Sequence, residues 1–397
     1  MSFHILNRLP TWVWVLLIEL YAVVLACLQM GNGVRTDEAK YLLNIPYPHP
    51  PLGRFIISSL SGWQYQEIFW RIVLATLLVQ LVWLWLKLVA DLRPGARFAV
   101  AICWLLSSAV LFQSGTIMMV ILTALEASAF LYLWMRHDDR SNHSGWIALL
   151  WLASLFTAYQ IVLFAPLVWI LLRRQRSSFI IQLCCFIIPI VLLALYTFSN
   201  PLALQSMFNH AAKDAGDTPL MRAVAYLRLW SLGGSIVLSI IGTYGIIRSK
   251  SFALIGSFLL VSAYVILSRY DYYAILFTVL FIVGFIILLH KRLIPALPVA
   301  IATIVSTFFF ALLFPFGPPS IARSVIQTLA SSAVHGPVLI NGSFGHEWEY
   351  ESRFPILRYT SALIPNAGAV ICLSPCPDSF DKRWSRIMQQ PPVYIRK

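Results

Sequence analysis

The sequence predicts an all-α polytopic membrane protein of about eleven transmembrane helices, N-terminus inside and C-terminus outside, with a small C-terminal extracytoplasmic α/β domain. Three observations predict it. Of the 397 residues, 59% are hydrophobic and only 11% charged, with a mean hydropathy of +0.77, far from the balance of a soluble domain. Apolar runs recur from residue 11 to residue 314. Lys and Arg gather at alternate ends of those runs, as the positive-inside rule requires.

The runs are 11–30, 67–90, 98–113, 115–135, 145–158, 160–172, 179–197, 229–247, 252–267, 274–289 and 293–314. About 20 apolar residues cross a hydrocarbon core of ~30 Å. The first run meets that length and no small-residue cleavage site follows it, so it reads as a retained helix rather than a signal peptide. With the N-terminus inside, Arg8, Lys87, Arg93, Arg97, Arg136, Arg140, Arg173, Arg174, Arg176, Arg248, Lys250, Lys291 and Arg292 all fall in inside segments. The net charge of +13 is therefore a topology signal, and no nucleic-acid partner is expected.

Runs 145–158 and 160–172 are short for ordinary crossings at 1.5 Å per residue. They form either a helical hairpin that stops part way, around Thr157 to Gln160, or two thin tilted spans. Outer loops are expected at 31–66 and 198–228, within a transmembrane module of residues 1–314. Residues 315–397 are more polar and form the outer domain. There "GPVLING" and "AGAVICLS" read as strands, "SFDKRWSRIMQQ" has helical spacing, and Glu347, Glu349 and Glu351 alternate with aromatics as on one strand face. Cys372 and Cys376 are spaced for a disulfide in an oxidising compartment, whereas two thiols without a second pair do not suit zinc.

The informative stretch is "TDEAKYLLNIPYPHPPLGRF", residues 36 to 55. Asp37 and Glu38 stand together just outside the first run, followed by His49-Pro50-Pro51 and Arg54, then by "LGRFIISSLSGW", whose apolar residues suit a helix in the membrane interface. A base, a cation and a platform at headgroup level suit transfer of a sugar carried on a polyprenyl phosphate. A carboxylate must take the acceptor hydroxyl's proton, and positive charge must meet the phosphate leaving group.

With that order of motifs, the chain resembles the protein O-mannosyltransferase family and its bacterial relatives in the GT-C superfamily of integral-membrane glycosyltransferases. The resemblance implies Asp37 as catalytic base with Glu38 beside it, and a polyprenyl-phosphate sugar as donor; His49, Pro50, Pro51, Leu52 and Gly53 take the second motif. Arg54, His49 and Arg269 are candidates for the phosphate, and Tyr270 and Asp271 for the donor sugar. The residues name no cofactor. A divalent metal is left open, although "SGTIMMV" supplies no acid at the outer start of the fourth run. The acceptor is a hydroxyl on a protein, glycan or lipid, and the setting is a cell (inner) membrane with the site on its outer face.

Other polar residues carry weaker signals. Glu19, Arg71 and Glu126 lie within apolar runs, where Glu19 and Arg71 are expected to pair and hold helices together. "NHAAKDAGDTPLMR", with His210, Lys213, Asp214 and Asp217, is a solvated loop or a lid. The rival class is a transporter or flippase for a lipid-linked or anionic substrate, with Glu19, Arg71 and Glu126 along its path. A binding scaffold is the third.

Overall fold

The computed structural model describes residues 10–45, 50–136, 143–202, 218–268, 270–313, 320–332, 334–375, 380 and 383–396. The chain is mostly helical with one small sheet near its C-terminus. Its contacts divide it into two units. The first holds residues 1–27, 47–59 and 68–316, and the second holds 28–46, 60–67 and 317–397.

In the first unit all the expected apolar runs fall on helix, but they differ in length. Among the described residues five helices are long and apolar enough to cross a membrane: Thr11–Asn32, Gln66–Leu88, Met119–Arg136, Phe179–Ser199 and Asp271–His290. Pro219–Gly234 and Val237–Ser249 make a sixth if the pair, bent by 92°, is one span. The bend falls at Ser235 and Ile236, both with positive φ (52° and 61°). A β-branched residue rarely adopts that geometry, and neighbouring groups hold it. The Ser235 hydroxyl oxygen accepts the Ser108 backbone N–H at 2.8 Å, and the Ser306 hydroxyl donates to the Ser235 carbonyl.

The Ala274–His290 helix is the buried centre of this unit. Glycines let its neighbour approach to backbone contact: a Cβ at Gly245 would stand 2.0 Å from the Gly284 carbonyl oxygen, and one at Gly284 2.1 Å from that of Gly242. Small residues at such seams are how apolar helices associate where no hydrophobic force separates them from lipid. Glu19 and Arg71 do not pair as expected. Glu19 accepts from the Thr76 hydroxyl at 2.6 Å and from the Gln80 amide at 3.2 Å, whereas Arg71 donates to the Gly115 carbonyl at 2.8 Å. Each still ties helices together, because polar neighbours satisfy both groups without a shared ion pair.

The second unit carries the sheet, in strand order β2-β1-β3-β5-β4, with β1 Val338–Asn341, β2 Ile356–Arg358, β3 Ala369–Cys372, β4 Trp384–Gln389 and β5 Pro392–Arg396. β1 runs parallel to β2 and β3, while β5 runs antiparallel to β3 and β4. Alternation along the strands builds two faces. Val338, Ile340 and Ile371 pack with Val325, Ile326 and Leu329 of the Ile321–Ala330 helix, whereas Leu339 and Val370 meet Leu363, Trp384 and Tyr394.

Two expectations fail here. "RWSRIMQQ" is the strand β4 rather than a helix, because pairing with β5 supplies its backbone bonds. Glu347–Glu351 is a short helix rather than a strand, which sinks Trp348 into the core and presents the acids on the other side. Cys372 is disulfide-bonded, and Cys27, Cys103, Cys184 and Cys185 are free thiols. Cys376, and the loop residues His210, Lys213, Asp214 and Asp217, lie outside the described residues.

Candidate functional site

Asp37 and Glu38 begin a helix, Thr36–Leu42, that belongs to the second unit. Acids in a first turn face the unpaired N–H groups and the positive end of the helix dipole. Glu38 uses that position structurally: it is buried, and its Oε2 accepts the Arg35 backbone N–H at 2.7 Å. Asp37 differs. Its side chain is 26% exposed and pairs with Lys40, one turn on, at 3.0 Å. The adjacent acids therefore have separate environments, one closed over a helix end and the other at the surface.

The tail grips the segment leading to this helix. The Thr36 hydroxyl donates to Glu347, whose other carboxylate oxygen accepts the Gly345 N–H at 3.3 Å. Glu351 accepts the Val34 N–H at 3.2 Å. Arg323 joins the set: its Nε is 3.0 Å from both Glu351 oxygens, one Nη is 2.6 Å from Glu67, and the other donates to the Met30 carbonyl. Burial opposes the guanidinium's charge, but the Glu351 hydrogen bonds and the two carboxylates outweigh it and hold its pKa above the ordinary value. Gly33, at φ 74°, completes the fit, since a Cβ there would stand 2.6 Å from the Ser320 Cβ. Sequence reading missed Arg323 and Glu67. Their signal was a single cation in the otherwise uncharged helix "IARSVIQTLA" and an acid at the start of an apolar run.

Arg54, Tyr270 and Asp271 belong to the first unit. Arg54 is half-buried on the Pro51–Ser58 helix, which starts at the Pro-Pro pair because Pro suits a first helical turn. That helix rests on the interruption of the short apolar pair: a Cβ at Gly53 would stand 3.1 Å from the Thr157 carbonyl oxygen. Comparison of the chain with family models, with curated proteins and with solved structures gives no match. Function must be read from the residues.

At the interruption the Ser144–Thr157 helix stops, Ala158 is extended, and a 3-10 turn, Tyr159–Phe164, leads into the Ala165–Arg173 helix. Gln160, in that turn, donates through its amide nitrogen to the hydroxyls of Tyr273 at 3.0 Å and Tyr264 at 3.2 Å. Glu126 shares a side-chain hydrogen bond with Thr157. Tyr270 is exposed and stacks on Tyr272, with centroids 5.3 Å apart, and Tyr272 meets the edge of Tyr273 at 4.5 Å. Asp271 pairs with Arg228 at 2.7 Å on the exposed side. Tyr270 and Asp271 are thus assembled with a buried Gln and Tyr264 that sequence reading did not connect to them. His49 and Arg269 lie outside the described residues. Among the described residues no three His, Cys, Asp or Glu side chains converge as metal ligands.

Proposed function

We propose that this chain is a multi-pass membrane glycosyltransferase of GT-C type, crossing a cell membrane about eleven times with its N-terminus in the cytoplasm. It takes a sugar from a polyprenyl-phosphate donor and gives it to a hydroxyl on a protein, glycan or lipid outside. Asp37 takes the acceptor hydroxyl's proton as that oxygen attacks the anomeric carbon. The bond from that carbon to the phosphate oxygen breaks, polyprenyl phosphate leaves with the electron pair, and the centre inverts. Arg54, His49 and Arg269 are assigned to the phosphate, and Tyr270 and Asp271 to the sugar. Glu38 is a positioning residue.

The observation that carries this reading is the division of labour in the acidic pair. Only Asp37 keeps its carboxylate at the surface, on a helix that the tail holds by Thr36 and Val34. A merely solvated acid requires no such bracing. The test is transfer by the purified protein from a panel of short polyprenyl-phosphate sugars to a membrane extract. Product from the wild type that disappears in Asp37→Asn supports the reading, whereas full activity in a correctly inserted Asp37→Asn removes the mechanism.

The rival, a transporter or flippase, draws on Glu126, an acid within an apolar helix whose Oε2 has no partner. Substrate accumulation in proteoliposomes without glycosyl transfer favours it.

A further inference from the structure

We infer that the interruption at Thr157 to Gln160 is a sugar-binding subsite, with the Tyr270–Tyr272 stack as its platform and Gln160 Oε1 and Glu126 Oε2 as its anchors. The choice of a sugar as ligand rests on the glycosyltransferase reading.

Buried polar atoms are nearly always hydrogen-bonded, and each exception calls for a physical account. Gln160 is 6% exposed, and while its amide nitrogen has two partners its carbonyl oxygen, fully buried, has none among the described residues. Glu126 repeats the pattern: one side-chain hydrogen bond with Thr157, and an Oε2 that is buried without a partner. Both belong to the place where the backbone leaves helix: Glu126 bonds Thr157, the last residue of the helix, and Gln160 stands in the 3-10 turn that follows. Leaving an acceptor buried and unmet costs about 1–3 kcal/mol. The bonds to Tyr273, Tyr264 and Thr157 account for a polar side chain at each position but leave these two oxygens unmet among the described residues. An amide oxygen accepts and a buried carboxyl accepts or, when protonated, donates, so their complement is a ligand whose groups do both. Hydroxyl groups meet both without burying a further charge.

The surroundings suit the same ligand. Binding pockets combine apolar and aromatic walls with a few placed polar groups. Here Gln160 holds Tyr273, whose ring meets Tyr264 at 4.8 Å and Tyr272 at 4.5 Å, and Tyr272 stacks on Tyr270. With Tyr270 43% exposed, the aromatic series runs from the surface to buried Gln160. Flat ring faces meet the C–H face of a sugar ring, and the two oxygens meet its hydroxyls. The 3-10 turn, weaker in its hydrogen bonding than an α-helix, is the part of the wall that yields as the ligand enters.

The experiment is a binding titration in detergent on the full-length Asp37→Asn protein, which prevents turnover. The probes are the short polyprenyl-phosphate sugars and the bare polyprenyl phosphate of equal chain length. At least one glycosylated lipid is expected to bind about tenfold or more tightly than the bare lipid, because a site built to hydrogen-bond hydroxyls discriminates against their absence. Gln160→Leu and Glu126→Leu should each erase that preference while leaving bare-lipid affinity unchanged; the melting temperature should fall in Gln160→Leu, where two tyrosine hydroxyls lose their donor. A preference that survives in both variants overturns the subsite, as does a protein that prefers none of the sugars. Affinity that follows sodium concentration rather than the sugar overturns it too. Turnover is read separately. Sugar preference lost in Gln160→Leu, with no product from any donor, removes the enzyme reading and keeps the subsite. Wild-type KM in both leucine variants does the reverse.

Discussion

The Nε of Arg323 lies 3.0 Å from both carboxylate oxygens of Glu351, and the same guanidinium reaches Glu67 at 2.6 Å. One cation thus neutralises two acids that stand 284 positions apart in sequence (351 − 67). Its raised pKa gives a stabilising contribution that is fully present below the ordinary arginine value and is lost only above it. No working pH discharges it.

Arg323→Met should therefore loosen the second unit by about 3 kcal/mol, because both carboxylates lose their cation in a largely buried setting. Hydrogen exchange at the amides of β1 and β3 measures it. Protection unchanged from the wild type would mean that the network does not hold the unit together.

The acidic pair should separate by phenotype. Asp37→Asn should lower transfer at least about 100-fold, the usual scale for a general base, with an unchanged melting temperature. Glu38→Ala removes the acceptor for the Arg35 N–H and should cost about 1 kcal/mol of stability. Melting curves beside initial rates resolve the two. Equal loss of stability in both variants would contradict the assignment.

In the first unit, Gly245→Ala and Gly284→Ala should each destabilise by about 1–3 kcal/mol, the range for overpacking. Each new methyl faces a backbone carbonyl at about 2 Å, and no rotamer change relieves that contact. Thermal stability in detergent reports the effect, with Gly95→Ala, open on every side within 4 Å, as the control.

Ser235→Ala should cost about 1–3 kcal/mol, since the Ser108 N–H loses its buried acceptor at the bend. Ser235→Thr keeps the hydroxyl, but its β-branch suits a positive φ poorly. Melting temperatures should therefore fall in both, and an alanine variant as stable as the wild type would show that the bend does not depend on this bond.

The long apolar runs were legible because their length and composition alone select helix, as in Thr11–Asn32 and Asp271–His290. Breaks within runs were less so. The bend at Ser235–Ile236 depends on the Ser108 backbone N–H and the Ser306 hydroxyl, which no local pattern reveals. Short tail segments misled for a related reason: five or six residues such as "EWEYE" and "WSRIMQ" fit either periodicity, and the partner strand or core decides. At the candidate site Asp37 and Tyr270 were visible as types in place. The roles of Arg323 and Gln160 were not, because both depend on neighbours far away in the chain.

The second unit is assembled from residues 28–46, 60–67 and 317–397. On the ribosome residues 28–46 emerge well before the sheet. Val34 and Thr36 must therefore wait until Glu347 and Glu351 have been made to meet them. Contacts of such long sequence separation form slowly, and chains cut short before β1 contain Asp37 but lack the partners that brace it. Residues 347–351 are thus a checkpoint on a segment made far earlier: the proposed base is held in place only once they have followed.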